Sequence, residues 1–176
     1  MADITFNTEQ NKTIARGMLI AYLNTGSAET PVWSPVGKRV EDSSASYDWA
    51  TETKKDILDN TYITMKKPVV SQTFDPWDLV NGDTAQQKLW NLAVEKQDSA
   101  SLCNLDMLIV HLYAGTANTA VFAERYDGCA IEVTGLGGAG GGNIGMPVNV
   151  TYGGNRTTGK AAVASTGVVT FTVDAA

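Results

Sequence analysis

From Leu105 to Tyr113 the chain is apolar at almost every position, Asp106 and His111 being the exceptions. Side chains on a strand point alternately to two faces, so a run that is apolar on both must be covered on both. This segment therefore belongs in the middle of a layered protein, and the rest of the chain has to supply its cover. Met18–Leu23, Ala120–Tyr126, Cys129–Thr134, Pro147–Tyr152, Lys160–Ala164 and Val168–Val173 have strand composition, with Gly, Asn and Asp between most of them. Helical spacing is convincing once. Ala85, Leu89, Leu92, Ala93 and Lys96 follow the capping-box pattern Asp83-Thr84-Ala85-Gln86, which predicts one helix over about 84–97. The expected fold is mainly β: two packed sheets, sandwich or barrel-like, with one flanking helix.

A second constraint lies between Ser46 and Phe74. Strand-like runs surround a polar centre, predicting a long hairpin over about 46–74 with Lys54, Lys55, Asp56, Ile57, Leu58, Asp59 and Asn60 at its tip. Strand alternation puts Tyr47, Trp49, Thr51 and Thr53 on one face and Asp48 and Glu52 on the other. Two strands cannot bury both of their faces, so such a hairpin needs a partner. The apolar pair Ile57 and Leu58 has little reason to face water. Residues 1–17 are polar and weakly alternating, and read as an extended arm on one domain spanning 1–176.

Several functions are disfavoured. A net charge of −6 works against tight nucleic-acid binding, which depends on Lys and Arg displacing counterions. Met1-Ala2-Asp3-Ile4-Thr5-Phe6 does not have the form of an export signal, and no apolar run is long enough to span a bilayer, so a soluble protein made in the cytosol and without a membrane partner is expected. Cys103 and Cys129 then read as free thiols. Gly154-Asn155-Arg156-Thr157-Thr158-Gly159-Lys160 has phosphate-loop spacing, but Ala161 stands where a magnesium-binding hydroxyl belongs and β-branched residues follow instead of a helix. Gly135-Leu136-Gly137-Gly138-Ala139-Gly140 has dinucleotide-loop spacing, yet more glycine follows, and it reads as a connector. The single histidine, His111, sits in the apolar strand and reads as structural; with it, Cys103 and scattered carboxylates such as Asp56, Asp59, Glu41 and Asp42 form no recognised metal or catalytic set. The expectation is a protein that is not an enzyme and uses no cofactor or metal.

The order of parts resembles the tail tube protein (major tail protein) family of long-tailed phages, which is related to the tubes of contractile tails and injection systems. The resemblance is carried by the hairpin Ser46–Phe74, its exit Phe74-Asp75-Pro76-Trp77-Asp78, one short helix and the apolar strand Leu108–Tyr113. It continues through Gly142-Asn143-Ile144-Gly145-Met146-Pro147-Val148-Asn149-Val150-Thr151-Tyr152-Gly153-Gly154, Thr157-Thr158-Gly159-Lys160 and a last strand through Thr170-Phe171-Thr172-Val173. The glycine tract is longer than the family pattern. Membership would imply a homo-oligomer: hexameric rings, each subunit giving four strands to an inner wall, stacked into a tube in a virion tail assembled in the host bacterial cytoplasm. Its partners would be a tape measure protein, tail tip or baseplate and tail terminator proteins, a sheath in contractile tails, and duplex DNA that passes without specific binding. The tip residues 54–60 would stack rings, and Asp48, Glu52, Glu124 and Glu132 are candidates for the lumen wall, where carboxylates avoid the phosphate contacts that Lys or Arg would make. A tube for a phage-like bacteriocin or contractile injection system fits equally. A carbohydrate-binding or adhesive β-sandwich is a different reading, motivated by Trp33, Trp49 and Trp77.

Overall fold

The computed structural model describes residues 4–174. Its first strands are β1 (Leu19–Asn24), β2 (Trp33–Pro35), β3 (Ala45–Asp48), β4 (Glu52–Lys55), β5 (Thr61–Thr64) and β6 (Val69–Phe74). After the helices α1 (Thr84–Trp90) and α2 (Ser99–Leu102) come β7 (Leu105–Thr116), β8 (Ala120–Val133), β9 (Val148–Tyr152), β10 (Arg156–Val163) and β11 (Val169–Val173). The protein is mainly β, as the sequence pattern requires, and every strand pairing is antiparallel.

The doubly apolar run is β7, held between β1 and β8 with Val110 opposite both Ile20 and Ala123. Met107 and Ile109 on one face join a buried cluster with Leu23, Phe74, Trp77, Leu89, Ile131, Val148 and Val150. Leu108 and Val110 on the other face join Tyr22, Trp33, Val121, Ala161 and Val169. Burying each such side chain is worth about 1.5–3 kcal/mol, which makes β7 the element that ties both clusters together.

The segments 120–126 and 129–134, expected as separate strands, are one strand, β8, of 14 residues. Its first half pairs with β7 and β10, and its last residues, Ala130–Val133, pair with β9. One sheet thus runs β2-β1-β7-β8-β10-β11 and a second runs β3-β6-β9-β8, with β8 common to both. The change of partner falls where Gly128 meets Gly153 and Gly154: a Cβ on Gly128 would stand 3.1 Å from the Gly154 Cα. Asp127 fixes the corner from outside, its carboxylate accepting from the Asn155 backbone N–H (2.6 Å) and side-chain amide (3.2 Å).

The predicted helix is present but not regular. Asp83 caps α1, accepting from the Gln86 N–H at 3.1 Å. The Gln86 side chain does not complete the capping box; it is buried, accepting from the Val80 N–H and donating to the Asp78 carbonyl, both at 2.7 Å. From Asn91 to Glu95 the helix widens into a π-turn, and α2 follows with Asp98 as its own cap. Ala85 and Leu89 lie in the core, and Lys88 donates to the Asn24 carbonyl.

The N-terminal arm packs on its own chain: Phe6 bridges Ala114, and the Asn7 N–H donates to Tyr113, continuing the edge of β7 beyond β1. Residues 1–3 of the expected arm lie outside the described residues. Both cysteines are free, with Cys103 exposed and Cys129 buried. The two glycine patterns build no ligand loop: Arg156–Val163 is strand β10, and Gly137 and Gly145 pair with each other across the connector from β8 to β9.

The corner gives a direct stability test. Gly154 has φ +71°, and a Cβ there would stand 2.5 Å from the Gly128 nitrogen. Gly154→Ala is expected to cost about 2 kcal/mol or more in urea unfolding. Gly140→Ala, with nothing within 4 Å, should stay within about 0.5 kcal/mol of the parent.

Candidate functional site

Three surfaces stand out once the core is accounted for. The first is the outer face of the second sheet. Strand alternation turns Val70, Gln72, Val148, Val150 and Ile131 inward, which leaves Asp48 on β3, Ser71 and Thr73 on β6, Asn149 and Thr151 on β9, and Glu132 on β8 facing out. These outward residues include two carboxylates and no Lys or Arg. The inner side is polar as well as apolar at one point, where Tyr152 donates to Gln72 (2.7 Å) and Gln72 to Ser43 (2.9 Å), so the buried amide has its partners.

The second surface is the hairpin. β3 and β6 form its inner half, and β4 and β5 pair only with each other beyond a break. At the break Ala50 has φ +43° and its N–H is accepted by the Asp48 carboxylate at 2.9 Å, so the alternation expected through Tyr47, Trp49, Thr51 and Thr53 is interrupted. Asp48 and Glu52 therefore do not share one strand face. Residues 49–67 are all exposed except half-buried Asp56. Ile57 is 101% and Leu58 76% exposed, figures that leave no intramolecular cover for either side chain. The turn itself is well built: the Asp56 carboxylate accepts from the Leu58 and Asn60 N–H groups, the Asn60 amide and the Tyr62 hydroxyl. Those donors, first the Asn60 side chain, hold its carboxyl at about 2. Lys55 pairs with Asp59 (2.7 Å), and Lys54 with Glu52 (3.2 Å).

The third is a cavity of about 680 Å³ at the foot of that hairpin, walled by Tyr47, Trp49, Pro68, Tyr126, Tyr152 and Arg156. Glu124 lies at its inner end, 4% exposed, and is not a surface charge as expected from the sequence. One carboxylate oxygen meets His111 Nε2 at 2.8 Å, and the other accepts from Arg156 Nε (2.5 Å) and the Tyr126 hydroxyl (3.0 Å). His111 Nδ1 in turn meets the Tyr113 hydroxyl at 2.9 Å. Burial pushes the Glu124 carboxyl up, but the hydrogen bonds from His111 and Arg156 outweigh it and bring it down to about 2. This network joins β7, β8 and β10. The lone histidine gave no sign of it in sequence, because Glu124 lies 13 positions away and Arg156 is reached only through that carboxylate; Tyr113, two positions along β7, is the one local partner.

Of the lumen candidates, the structure brings Asp48 and Glu132 to one face. Glu52 is on the projecting half of the hairpin, paired with Lys54 and Lys66, and Glu124 is inside. The tip residues 54–60 are together at the hairpin's end. Of the three aromatics behind the carbohydrate reading, Trp33 and Trp77 are buried and belong to the core, and Trp49 alone is exposed. Among the described residues no three His, Cys, Asp or Glu side chains are grouped to hold a metal ion, and no helix is long and apolar enough to cross a membrane.

These elements define a two-sheet β-protein with a flanking helix, a projecting hairpin and an acidic outer face. The fold is similar to that of the PVC sheath/tube terminator of an extracellular contractile injection system in its extended state, with a TM-score of 0.50, 10% identity, and 85% of this chain and 99% of that chain covered. Matches of lower score include the PVC sheath–tube complex (0.45, 12% identity, 94% and 95% covered) and the tube-terminating cap of the anti-feeding prophage (0.44, 14% identity, 96% and 96% covered). No family model matches the sequence, and no curated protein does. At these identities the likeness is one of fold, and it is the fold that the tail-tube resemblance of the sequence implies.

The Glu124 network sets a pH test. Because the folded carboxyl titrates near 2 against an ordinary 4.5, its stabilisation is fully present above about pH 4.5 and is lost as pH falls towards 2. Glu124→Gln should cost about 3 kcal/mol in urea unfolding at pH 6, a difference that shrinks to under about 1 kcal/mol near pH 2.

Proposed function

We propose that this chain is a structural subunit of a phage-type tail tube, in which hexameric rings stack into a conduit and the second sheet forms the bore. The observation that carries this reading is the outer face of that sheet, with Asp48 and Glu132 exposed and no cation among their outward neighbours. A polyanion sliding along such a wall meets no Lys or Arg at which to stop. Six-fold repetition of each carboxylate, in an enclosed channel that focuses the field, multiplies the effect.

Strand arithmetic supports the ring. The sheet β3-β6-β9-β8 has four strands in alternating directions, so β3 of one copy and the last residues of β8 of the next would meet antiparallel, and identical subunits can close without a mismatched seam. Twenty-four strands at roughly 4.8 Å spacing and about 40° tilt close at roughly 48 Å between opposite backbones, enough for side chains and a duplex. The hairpin tip, Lys54–Asn60, would contact the adjacent ring. Tape measure, tip or baseplate and terminator proteins would be the partners, and no catalytic step is required of the chain. The match to a sheath/tube terminator favours a second reading, a ring that caps the tube, and the same fold would serve an injection system or bacteriocin.

Purified protein at high concentration should form rings or tubes by size-exclusion chromatography and negative-stain imaging; monomer at every concentration and salt would reject both readings, and single rings that never stack would select the cap. In assembling particles, Asp48→Lys with Glu132→Lys should slow DNA ejection, with added salt restoring the rate. Ejection like the parent's at all ionic strengths would place these carboxylates outside the bore.

A further inference from the structure

Strand β11 is an edge with nothing laid against it. It pairs with β10 and, among the described residues, with no other segment. The Asp174 N–H donates to the Thr158 carbonyl (3.2 Å) and the Ala164 N–H to the Val168 carbonyl (2.9 Å), so the even-numbered positions from 168 to 174 are the ones that bond towards β10. Bonding in an antiparallel ladder alternates between the two sides of a strand, and the N–H and C=O groups of Val169, Phe171 and Val173 therefore point to the open edge. Free edges are ordinarily blunted by short length, proline or charge. β2 is three residues long and ends in Pro35, and β3 ends in Asp48. Val168–Val173 has neither proline nor charge.

We propose that β11 pairs with β11 of a second copy of this chain, antiparallel and two-fold symmetric about Phe171. The sequence selects that partner, because Val169-Thr170-Phe171-Thr172-Val173 reads the same in both directions. Centred on Phe171, the pairing sets this residue against its own copy, Val169 against Val173 of the second copy, and Thr170 against Thr172 of the second copy. Val169, Phe171 and Val173 then each donate once and accept once, so the register that matches the side chains also uses every outward backbone group of the edge. The two faces agree with it. Val169 is buried in the second core cluster, Phe171 packs against that cluster, and Val173 on the same face is 55% exposed. Pairing continues this apolar face across the axis and covers Val173, while the exposed Thr170 and Thr172 meet on the other face, where cross-strand threonines hydrogen-bond. With no charge on either strand, no like charges stand opposite one another. The contact is isologous, and rings stacked in one direction contain no such two-fold axis. The pair is thus made by subunits outside the stack; it goes beyond the tube reading and does not rest on it.

Crosslinking reads the register. In a Cys103→Ser background, which removes the exposed thiol, Thr170→Cys and Thr172→Cys are made as separate variants, both at exposed positions. Two-fold pairing sets position 170 opposite position 172 as a non-hydrogen-bonded pair, with Cα atoms about 4.5 Å apart and within disulfide reach. Each position meets its own copy only diagonally, at about 7–8 Å. Mild oxidation of the mixture should give covalent dimer, and either variant alone at least about tenfold less. Self-crosslinking of either variant as strong as that of the mixture would show a parallel or unregistered contact and overturn the proposal. Thr170→Lys with Thr172→Lys sets like charges opposite in both threonine pairs and leaves the buried side of β11 unchanged. By sedimentation below the concentration at which rings form, the parent should be a dimer, and this variant, with urea unfolding like the parent's, should dimerise about tenfold more weakly or worse. A parent that stays monomeric up to the point of ring formation would overturn the proposal and leave the tube reading standing. A dimer with the crosslinking pattern above that never gives rings would uphold the proposal and reject the tube reading.

Discussion

The architecture depends on a backbone-to-backbone contact, Gly128 against Gly153 and Gly154. A single strand, β8, has to serve two sheets that face different surroundings, pairing with β10 in one and β9 in the other. β9 and β10 follow one another along the same side of β8, and the chain between them steps out at Gly153–Asn155 just as β8 passes Asp127 and Gly128. Side chains on either partner would force the strands apart at the point where they must cross closest. With glycine on both, the first sheet packs β7 on both faces, and the second can turn one face to the core and leave the other to solvent.

From that corner the charge distribution follows. Arg156 begins β10 just beyond the turn and reaches Glu124, which the register of β8 turns inward beside Ile109. A carboxylate buried this deeply is tolerable only with its partners in place, and His111, Tyr126 and Arg156 supply them from three strands. The ion pairs among the described residues take in Glu9, Glu52, Asp59, Asp106 and Glu124. Asp48 and Glu132 are outside that set, so part of the net charge of −6 is left uncompensated on one sheet face.

What could be read from the sequence divides along physical lines. Strands whose fate is decided by local alternation were legible: β7 from its two apolar faces, β9 and β11 from their composition, the helix start from Asp83, and the hairpin from paired runs around a polar tip. Features decided by what lies across the fold were not. The continuity of β8 through Asp127-Gly128 was hidden because a glycine reads locally as a turn, whereas here it is a close approach of backbones. Glu124 looked like a surface charge because alternation gives faces and not which face is covered. Glu52 was placed beside Asp48 by a period of two that Ala50, at φ +43°, breaks. Trp33 and Trp77 were ambiguous for the opposite reason, since an aromatic side chain suits a core and a binding platform equally well.

The distribution of exposed apolar surface separates an assembling protein from a stable monomer. Isolated apolar residues on a surface are ordinary, but here Ile57, Leu58, Tyr62, Ile63 and Met65 are all more than half exposed and fall on nine consecutive residues of one projection. A monomer has no reason to hold such a segment extended, because folding it onto the body would cover it at the cost of a few backbone hydrogen bonds. The segment stays extended because β4 and β5 satisfy each other and Asp56 closes the turn with four hydrogen bonds of its own. Those bonds satisfy the backbone of the turn within one chain, and a turn closed in this way has less conformational entropy to lose when its apolar side chains are covered. The side chains themselves find no cover on their own chain, and only a surface outside it can supply one.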